Sequence, residues 1–226
     1  MRTILISGGS EGLGKALAKQ LAPKNKVIIL ARHKDKLEKT AQEIGCDWHI
    51  CDVGEWEQVS KTVDQVLSKY GKIDVLINNA GLWIQDSLDQ NDPNQIREVI
   101  NANTLGTIYL AKAVIPNMKG LKSGWIINVI SQAGTHAKAE RTVYNASKWA
   151  ITGFTRCLEL ELAPHGIKVS GIYPGQLRTS MFIKSGIKKS MDIAVDLEDV
   201  ARTIEFILSF ENTVNFPEIG IKHREG

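Results

Sequence analysis

The sequence predicts an α/β fold, in which one doubly wound parallel sheet of about seven strands carries helices on both faces. Short apolar runs of strand length alternate with helical periods along the chain. A glycine-rich segment at residues 7–14 separates the first predicted strand from the first predicted helix. Small and polar residues follow most of the later strands. Since parallel strands end at one edge of a sheet, these residues are expected to meet at a ligand site.

The predicted strands are short runs rich in β-branched and aliphatic residues, which suit a buried parallel sheet. They cover residues 3–6, 27–30, 48–51, 73–77, 124–130, 167–173 and 218–222. Helices are predicted between them from apolar residues at helical spacing, over about 15–22, 37–44, 59–70 and 197–208. A long helix is predicted to begin at Pro93, and the helix that contains Tyr144 and Lys148 is predicted to run to about Ala163. Asp92 is a good N-cap before Pro93, and Asp196 is expected to cap the last helix.

Composition limits the classes of function. The 226 residues suit a single domain spanning 1–226, and 43% hydrophobic with 23% charged residues is typical of a soluble globular protein. The net charge of +3, without a dense basic tract, argues against a nucleic-acid partner, and no apolar run is long enough for a bilayer span. Cys46, Cys51 and Cys157 have no CxxC pairing, which favours reduced thiols in a cytoplasmic protein with no bound metal.

The glycine-rich segment SGGSEGLG lies where a strand meets a helix N-terminus. Backbone N–H groups and the helix dipole at such a junction can hold a pyrophosphate. Gly8 would permit the tight turn, while Gly12 and Gly14 would allow close approach of backbone, cofactor and helix. The residues predicted to contact a dinucleotide here are Gly8, Ser10, Glu11, Gly12, Leu13 and Gly14.

The ends of the second and third strands indicate how a dinucleotide would be distinguished. Arg32 stands where an acidic residue would bind the 2′-hydroxyl of NAD, so NADP is favoured over NAD. The alternative is that Arg32 merely opens the next helix, and Glu11 weakens the NADP case. Asp52, followed by Val53, can accept from the adenine amino group or cap the helix near Glu55.

Two asparagine-rich stretches follow. Residues 78–81 read NNAG; Asn79, Ala80 and Gly81 are expected to lie against the ligand, while the asparagine amides tie neighbouring strands together. Asn101 and Asn103 precede Gly106 in a predicted helix, and such poor helix formers suggest a local break that frees backbone groups to bind water. A solvated face is the alternative for Asn103.

Tyr144 and Lys148 are four residues apart, which places both on one face of a helix. A cation near a phenol favours the phenolate, so we expect Lys148 to lower the pKa of Tyr144 towards neutrality. Such a tyrosine can exchange a proton with a substrate oxygen. The pair alone is weak evidence, because most Tyr–Lys pairs at this spacing form a solvated helix edge.

Together these motifs resemble those of the short-chain dehydrogenase/reductase family over nearly the whole chain. The glycine pattern TGxxxGxG occurs with Ser7 in place of threonine, and NNAG and YxxxK are intact. Ser131 stands thirteen residues before Tyr144, the spacing of the family's catalytic serine. Asn103 matches its helix asparagine, and residues 174–179 match its PGxxxT segment. The resemblance implies a Rossmann-type, single-domain, NAD(P)-dependent oxidoreductase.

The resemblance also implies roles for these residues. Tyr144 would be the general acid in reduction, Lys148 would bind the nicotinamide ribose and lower the pKa of Tyr144, and Ser131 would bind the carbonyl oxygen. Asn103 would hold a water that relays protons towards Lys148. Residues that would hold the nicotinamide are Pro174, Gly175, Leu177 and Thr179. By analogy, a homodimer or homotetramer is expected.

The substrate is the least determined part of the prediction. Trp83, Ile84, His136, Met181 and Phe182 are expected at the pocket mouth. Trp83 could equally pack against a helix, and His136 could be a surface residue. A small lid is expected around 180–195, where Lys184, Lys188 and Lys189 could attract an anion or form a solvated face.

Three functions remain open from the sequence. The favoured one is NADPH-dependent reduction of a small-molecule carbonyl, either a ketone or aldehyde or a 3-oxoacyl group. The first alternative is an NAD-dependent alcohol dehydrogenase of the same family. The second is a non-catalytic dinucleotide-sensing protein, although such proteins usually lack the tyrosine or lysine that this chain retains.

Overall fold

The computed structural model describes residues 1–179 and 192–225. Within them, seven strands form one parallel sheet in the order β3-β2-β1-β4-β5-β6-β7. The strands are β1 Thr3–Ser7, β2 Lys26–Ala31, β3 Asp47–Ile50, β4 Val75–Asn78, β5 Gly124–Val129, β6 Ile167–Pro174 and β7 Glu218–Ile221. The predicted doubly wound sheet is confirmed, and each predicted strand differs from the observed one by at most two residues at either end.

Helices cover both faces of the sheet. They are α1 Gly12–Leu21, α2 Lys34–Ile44, α3 Trp56–Tyr70, α4 Pro93–Ile100, α5 Gly106–Leu121, α6 Thr142–Leu162 and α7 Leu197–Leu208. A π-helical turn, Asn101–Leu105, joins α4 to α5, which confirms the predicted break. Asn103 in this turn is only 1% exposed, so the alternative of a solvated face is wrong.

The alternation of side chains along β1 explains why two helix layers are needed. Ile4 and Ile6 enter the core beneath α1, α2 and α7, whereas Leu5 enters the core beneath α3, α5 and α6. All three are fully buried. Each such side chain contributes about 1.5–3 kcal/mol relative to an exposed position. The central strand is therefore fixed from both faces, and its carboxyl end is a rigid platform.

A chain of buried amides fixes α6 against the sheet. Asn78 Nδ2 donates to Asn128 Oδ1 at 2.9 Å, and Asn128 Nδ2 donates to Thr155 Oγ1 at 2.9 Å. The chain joins β4, β5 and α6, which confirms that an asparagine of the NNAG segment ties neighbouring strands. Since α6 carries Tyr144 and Lys148, the chain also fixes the height of both side chains over the sheet edge.

Two predicted helix caps are wrong. Asp196 precedes α7, but its side chain makes no capping bond and instead accepts from Arg178 Nε at 2.7 Å. Asp52 does not cap α3, whose N-cap residue is Glu55; its Oδ1 accepts from Gly54 N at 3.0 Å. In both places a nearby donor competes successfully with the helix terminus for the carboxylate.

The three cysteines are free. Among the described residues, no helix is long and apolar enough to cross a bilayer. In the same part of the chain, no three histidine, cysteine or acidic side chains gather closely enough to hold a metal ion.

Candidate active site

A single cavity of about 720 Å³ opens at the carboxyl edge of the sheet, where the strand order reverses between β1 and β4. Most of the predicted site residues line it. They are Gly8, Ser10, Glu11, Gly12, Leu13, Arg32, Asp52, Val53, Asn79, Ala80, Gly81, Trp83, Ser131, His136, Tyr144, Lys148, Pro174, Gly175, Leu177 and Thr179. Predicted site residues from the carboxyl ends of all strands except β7 therefore meet at this cavity.

Some predicted site residues do not line the cavity. Gly14 and Asn103 lie just behind its wall, and Ile84 is buried in a small apolar cluster with Val99 and Val143. Met181, Phe182 and the three lysines expected in a lid lie outside the described residues. At the described end of that segment, Ala194 and Val195 are buried and Val195 pairs with Leu177.

The glycine loop is shaped by close backbone approach. Gly8 has a φ of 67°, and a Cβ there would stand 2.8 Å from Ala80 Cα. A Cβ on Gly14 would stand 2.1 Å from Gly8 O and 2.6 Å from Asn79 Nδ2. Gly14 thus allows α1 to pack against the loop, and it acts on a ligand only through the loop's shape.

The N-terminus of α1 faces the cavity without a side-chain cap. Its N-cap residue, Glu11, makes no capping bond, and the first turn holds no acidic residue. Gly12 and Leu13, at the start of the helix, line the cavity. Free N–H groups and the positive end of the helix dipole therefore fit an anionic group such as a pyrophosphate.

Ser7, which stands in place of the family's threonine, joins the glycine loop to the NNAG segment. Its Oγ accepts from the backbone N–H groups of Asn79 and Ala80, each at 3.0 Å. Asn79 Nδ2 returns bonds to Ser7 O at 3.1 Å and Gly8 O at 3.3 Å. The glycine loop and the NNAG segment are thereby held as one unit.

Charges are balanced at the end of the cavity beside β2 and β3, called the adenosine end below because the sequence predicts the adenosine there. Arg32 Nη1 lies 3.8 Å from Asp52 Oδ2, and Lys36 Nζ lies 3.8 Å from Glu11 Oε2. All four side chains are between 35% and 59% exposed, so these pairs are weak and can rearrange around a ligand. Lys36 was not among the predicted site residues. Its position in the first turn of α2, shortly after Arg32, could have indicated it.

Lys148 and Asn103 converge behind Gly81. A Cβ on Gly81 would lie 3.3 Å from Asn103 Oδ1 and 3.8 Å from Lys148 Nζ. Asn103 Oδ1 accepts from Leu82 N at 2.7 Å, and its Nδ2 donates to Leu82 O and Ser147 Oγ, each at 3.0 Å. The backbone carbonyl of Asn103 accepts from Thr107 Oγ1 at 3.0 Å, which leaves its second lone pair for a further donor such as a water.

Lys148 is a buried cation. It is 6% exposed, and Nζ donates to Val129 O at 3.2 Å. Burial lowers the pKa of Lys148 to about 8, because the charged form loses its water. The ammonium lies 5.9 Å from the centre of the Tyr144 ring.

Tyr144 does not have the lowered pKa that its spacing from Lys148 suggested. Burial raises the pKa of Tyr144 to about 12, and a hydrogen bond with Ser131 and the charge of Arg141 offset only part of this rise. The Trp83 ring lies over the phenol, with ring centres 4.3 Å apart. The prediction was wrong because removal of the phenolate from water outweighs the effect of nearby cations.

Ser131 holds a strained backbone conformation. Its φ of 144° and ψ of 159° lie in a region that only glycine adopts easily. The residue lies two positions after the end of β5 and is the N-cap of a short 3₁₀ turn, Gln132–Gly134, with Oγ accepting from Ala133 N at 3.2 Å. The surrounding structure imposes this conformation at a cost of about 1–3 kcal/mol, and the conformation places the hydroxyl beside Tyr144.

The substrate end of the cavity is formed by side chains from separate loops. Asn145 Nδ2 donates to His136 O at 2.8 Å and fixes the loop after β5 to α6. His136 is an exposed residue that still lines the cavity, so both predicted readings hold in part. Trp83 likewise both lines the cavity and packs on α6. Unpredicted lining residues are Gln132, Ala133, Ala137, Lys138, Arg141, Asn145 and Gln176.

The segment after β6 closes one side of the cavity, where the sequence predicts the nicotinamide. Gly175 N donates to Ile221 O at 2.7 Å, and Arg178 N and Val195 N pair with Val195 O and Gln176 O at 3.0 and 2.8 Å. These bonds hold Pro174, Gly175 and Leu177 along the cavity wall.

Comparisons with known proteins agree with this architecture. The sequence model for short chain dehydrogenases matches residues 2–190. An uncharacterised oxidoreductase of Staphylococcus saprophyticus is 31% identical over 230 residues, covering 98% of this chain and 97% of that protein. The chain belongs to the short-chain dehydrogenase family, and it is an oxidoreductase.

Solved structures extend the likeness to the bound cofactor. An alcohol dehydrogenase of the archaeon Thermococcus sibiricus, complexed with 5-hydroxy-NADP, is 25% identical with a TM-score of 0.91, covering 100% of this chain and 98% of that one. A metagenomic short-chain oxidoreductase in complex with NADP is 27% identical with a TM-score of 0.84, covering 97% and 96%. Together with the uncapped α1 terminus and the glycine cradle, these likenesses support a nicotinamide dinucleotide as the cofactor.

Proposed function

We propose that this protein is an NADPH-dependent reductase that converts a carbonyl, of the ketone, aldehyde or 3-oxoacyl type, into an alcohol. The observation that carries the proposal is the placement of Tyr144. Its phenol is buried at the cavity wall, hydrogen bonded with Ser131, on the same helix as Lys148. Tyr144 would supply a proton and Lys148 a cation one helical turn away, while Ser131, from the loop after β5, would supply a hydrogen bond to the carbonyl oxygen.

Residues of this chain would bind the cofactor along the cavity. The glycine loop and the α1 N-terminus would hold the pyrophosphate, Asp52 the adenine, and Lys148 the nicotinamide ribose. The segment from Pro174 to Thr179 would support the nicotinamide. When bound, the cofactor supplies the hydride for the carbonyl carbon.

The proton would come from the protein. Tyr144 donates its phenolic proton to the carbonyl oxygen, while Ser131 Oγ holds that oxygen and stabilises the charge that develops on it. The phenolate that remains is stabilised by the ammonium of Lys148. The backbone carbonyl of Asn103, which also accepts from Thr107 Oγ1, would hold a water that passes protons towards Lys148.

The direction of the pKa shift favours reduction. A phenol whose pKa is raised to about 12 is protonated at neutral pH, which is the form that a proton donor needs. Oxidation of an alcohol would require the phenolate, and burial disfavours that form. Burial of the phenol therefore supports the reductive direction of the proposal.

Arg32 supports NADPH over NADH, because a guanidinium at the end of β2 can pair with a 2′-phosphate. The second candidate function, an NAD-dependent alcohol dehydrogenase, is favoured by one observation. Asp52 lies 3.8 Å from Arg32 and offsets part of its charge.

The test is a panel of ketones, aldehydes, 3-oxoacyl thioesters and alcohols assayed with both cofactors. Absorbance of the reduced nicotinamide would be followed in both directions. The proposal expects carbonyl reduction with NADPH at a kcat/KM at least about tenfold higher than with NADH. Preferential oxidation of alcohols with NAD would instead establish the second candidate, and cofactor binding without turnover would contradict both.

The cytoplasmic location and the homodimer or homotetramer stay predictions. Trp149 and Leu160 on α6 are 50% and 73% exposed, and apolar exposure on one helix supports association between copies. Light scattering on the purified protein would measure the oligomeric state.

A further inference from the structure

Arg141 lies at the substrate end of the cavity, yet none of the roles assigned above uses it. It is the N-cap residue of α6, three positions before Tyr144, and it lines the cavity. Residues three apart on a helix share one face. The guanidinium carbon lies 5.0 Å from the centre of the Trp83 ring, which in turn lies 4.3 Å from the Tyr144 ring. Guanidinium, indole and phenol therefore form one continuous wall.

The guanidinium is incompletely satisfied by the protein. The Nε atom is buried and has no hydrogen-bond partner within residues 1–179 and 192–225. No carboxylate in the same described ranges forms an ion pair with Arg141. A buried donor without a partner is costly, so a residue of this kind needs an acceptor from elsewhere.

The charge distribution of the cavity indicates which acceptor would be bound. Among the described lining residues, the acidic ones are Glu11 and Asp52, and both lie at the adenosine end. At the substrate end the described lining residues include Arg141, Lys138 and His136 and no carboxylate; Glu140, next to Arg141 in the chain, is exposed and does not line the cavity. An anion in the cavity at this end therefore meets Arg141 and Lys138 on the lining, while the charge of Glu140 lies outside the lining and is exposed to solvent.

We infer that Arg141 binds the carboxylate of the substrate, so that the physiological substrate is an oxo-acid whose carbonyl reaches Tyr144 and Ser131. The Nε–H and neighbouring Nη–H form the edge that holds a carboxylate through two parallel hydrogen bonds. Since Arg141 and Tyr144 are about one helical turn apart, the carboxylate and carbonyl carbon are separated by only a few carbon atoms. Trp83 lies beneath the guanidinium and keeps it in place.

This inference rests on the proposed function and names the substrate class for the same site. The experiment compares matched acid and ester pairs with NADPH: acetoacetate with methyl acetoacetate, and 4-oxopentanoate with its methyl ester. The unaltered protein is expected to show a kcat/KM about 10–100-fold higher for each acid. A phosphate-bearing ketone, dihydroxyacetone phosphate, tests the other common oxyanion.

Variants separate recognition from fold. Arg141→Gln is expected to lower kcat/KM for the acids by about 10–100-fold, mainly through KM, and to leave the esters within about twofold. Arg141→Lys is expected to recover part of the loss, because it keeps the charge without the planar edge. Arg97→Gln removes an exposed arginine from α4 that does not line the cavity. This control should leave kcat/KM unchanged for both the acids and the esters.

Equal use of acids and esters by the unaltered protein, or equal loss of both in Arg141→Gln, would overturn the inference. A preference for dihydroxyacetone phosphate over both acids would overturn the carboxylate assignment.

A second measurement tests the anion site separately from the proposed reductase activity. If no carbonyl is reduced, acetoacetate binding to the protein with NADP⁺ is followed by quenching of tryptophan fluorescence. Quenching that disappears in Trp83→Phe and Arg141→Gln would support the anion site, although the reductase proposal had failed. Absence of such quenching would overturn the anion site as well.

Discussion

Where the glycine loop and the NNAG segment line the cavity, the surface is mostly backbone, whereas at the substrate end it is mostly side chains. The glycine loop, the α1 terminus and the NNAG segment present main-chain atoms that are held together by Ser7 and Asn79. The substrate end is assembled from Trp83, Ser131 and Arg141, which come from three separate loops or helix ends. The first surface tolerates little change in shape, while the second can change its chemistry residue by residue.

The two ends also differ in how they use strain and burial. The glycine loop is relaxed because glycine occupies its left-handed position at Gly8. The substrate end instead holds Ser131 in a glycine-like conformation and buries Tyr144 and Lys148. The strained and buried polar groups therefore lower the stability of the fold at the proposed catalytic residues, as is common at active sites. The four predictions below test this difference, from the largest expected effect to the smallest.

Replacement of Gly14 should damage the backbone-built end most. In Gly14→Ala the new methyl group would collide with Gly8 O, so α1 and the loop must separate. We expect a loss of more than about 4 kcal/mol in the free energy of unfolding, measured by urea denaturation. The matched control is Gly120→Ala in α5, where nothing lies within 4 Å of the new Cβ. It should be neutral or stabilise by up to about 1 kcal/mol. Equal effects would contradict the close-packing account.

Ser131 should show opposite effects on activity and stability. Ser131→Ala and Ser131→Gly both remove the hydroxyl, so each should lower kcat by about 10²–10³-fold. Ser131→Gly also relieves the φ of 144° and should be about 1–3 kcal/mol more stable than Ser131→Ala. Thermal or urea unfolding of the pair measures this difference. If the two variants are equally stable, Ser131 is not strained.

Lys148 should destabilise the fold in a pH-dependent way. Its folded-state pKa is about 8 instead of 10.5, so the unfolded chain binds more protons between these pH values. The destabilisation is full below pH 8 and is relieved as the pH rises towards 10.5; at its largest it corresponds to about 3 kcal/mol. Lys148→Met should therefore be about 1–3 kcal/mol more stable than the unaltered protein at pH 7, with the gain shrinking by pH 9.5.

Urea denaturation of both proteins from pH 7 to pH 9.5 measures the Lys148 effect. Comparison at each pH cancels the contribution of Lys168, whose pKa burial also lowers to about 8. The range stops before pH 10 because Tyr144, with its raised pKa, lowers stability above that value. A variant that is less stable at pH 7 would contradict the account.

Replacement of Arg32 should alter the choice between NADPH and NADH, and its effect is expected to be the smallest of the four. Arg32→Asp is expected to raise KM for NADPH by about 10–100-fold while KM for NADH changes by less than about threefold. Lys34→Asp reverses a neighbouring exposed charge that does not line the cavity, and should change both slightly and equally. Asp52→Asn should strengthen NADPH binding by removing the carboxylate 3.8 Å from Arg32. Equal effects of Arg32→Asp on both cofactors would remove the NADP assignment.

The backbone-built end could be predicted from the sequence because glycine spacing and strand ends report backbone requirements directly. Gly8 and the NNAG segment lie where their motifs placed them, and the break around Asn103 is present. The sequence could not show that Gly14 acts by packing on Gly8 or that the Asn103 side chain is consumed by Leu82. Both facts depend on how distant segments approach each other.

The substrate end could be predicted only in part, because burial and charge emerge from the fold. The spacing of Tyr144 and Lys148 indicated an electrostatic lowering of the tyrosine pKa, but the folded chain buries both groups, and desolvation dominates. Arg141 went unnoticed although it stands one turn before Tyr144, since an arginine at a helix start has no distinctive pattern. Its place on Trp83 became visible only in three dimensions.

The central claim is that Tyr144 donates the proton in carbonyl reduction, and Tyr144→Phe tests it most directly. Steady-state reduction by this variant and by Tyr109→Phe, which loses a hydroxyl outside the cavity, would be measured beside NADPH binding by fluorescence. The account predicts a fall in kcat of at least about 10²–10⁴-fold for Tyr144→Phe alone, with NADPH affinity within about twofold of the unaltered protein. Turnover that survives in Tyr144→Phe would contradict the role of Tyr144 and the mechanism built on it.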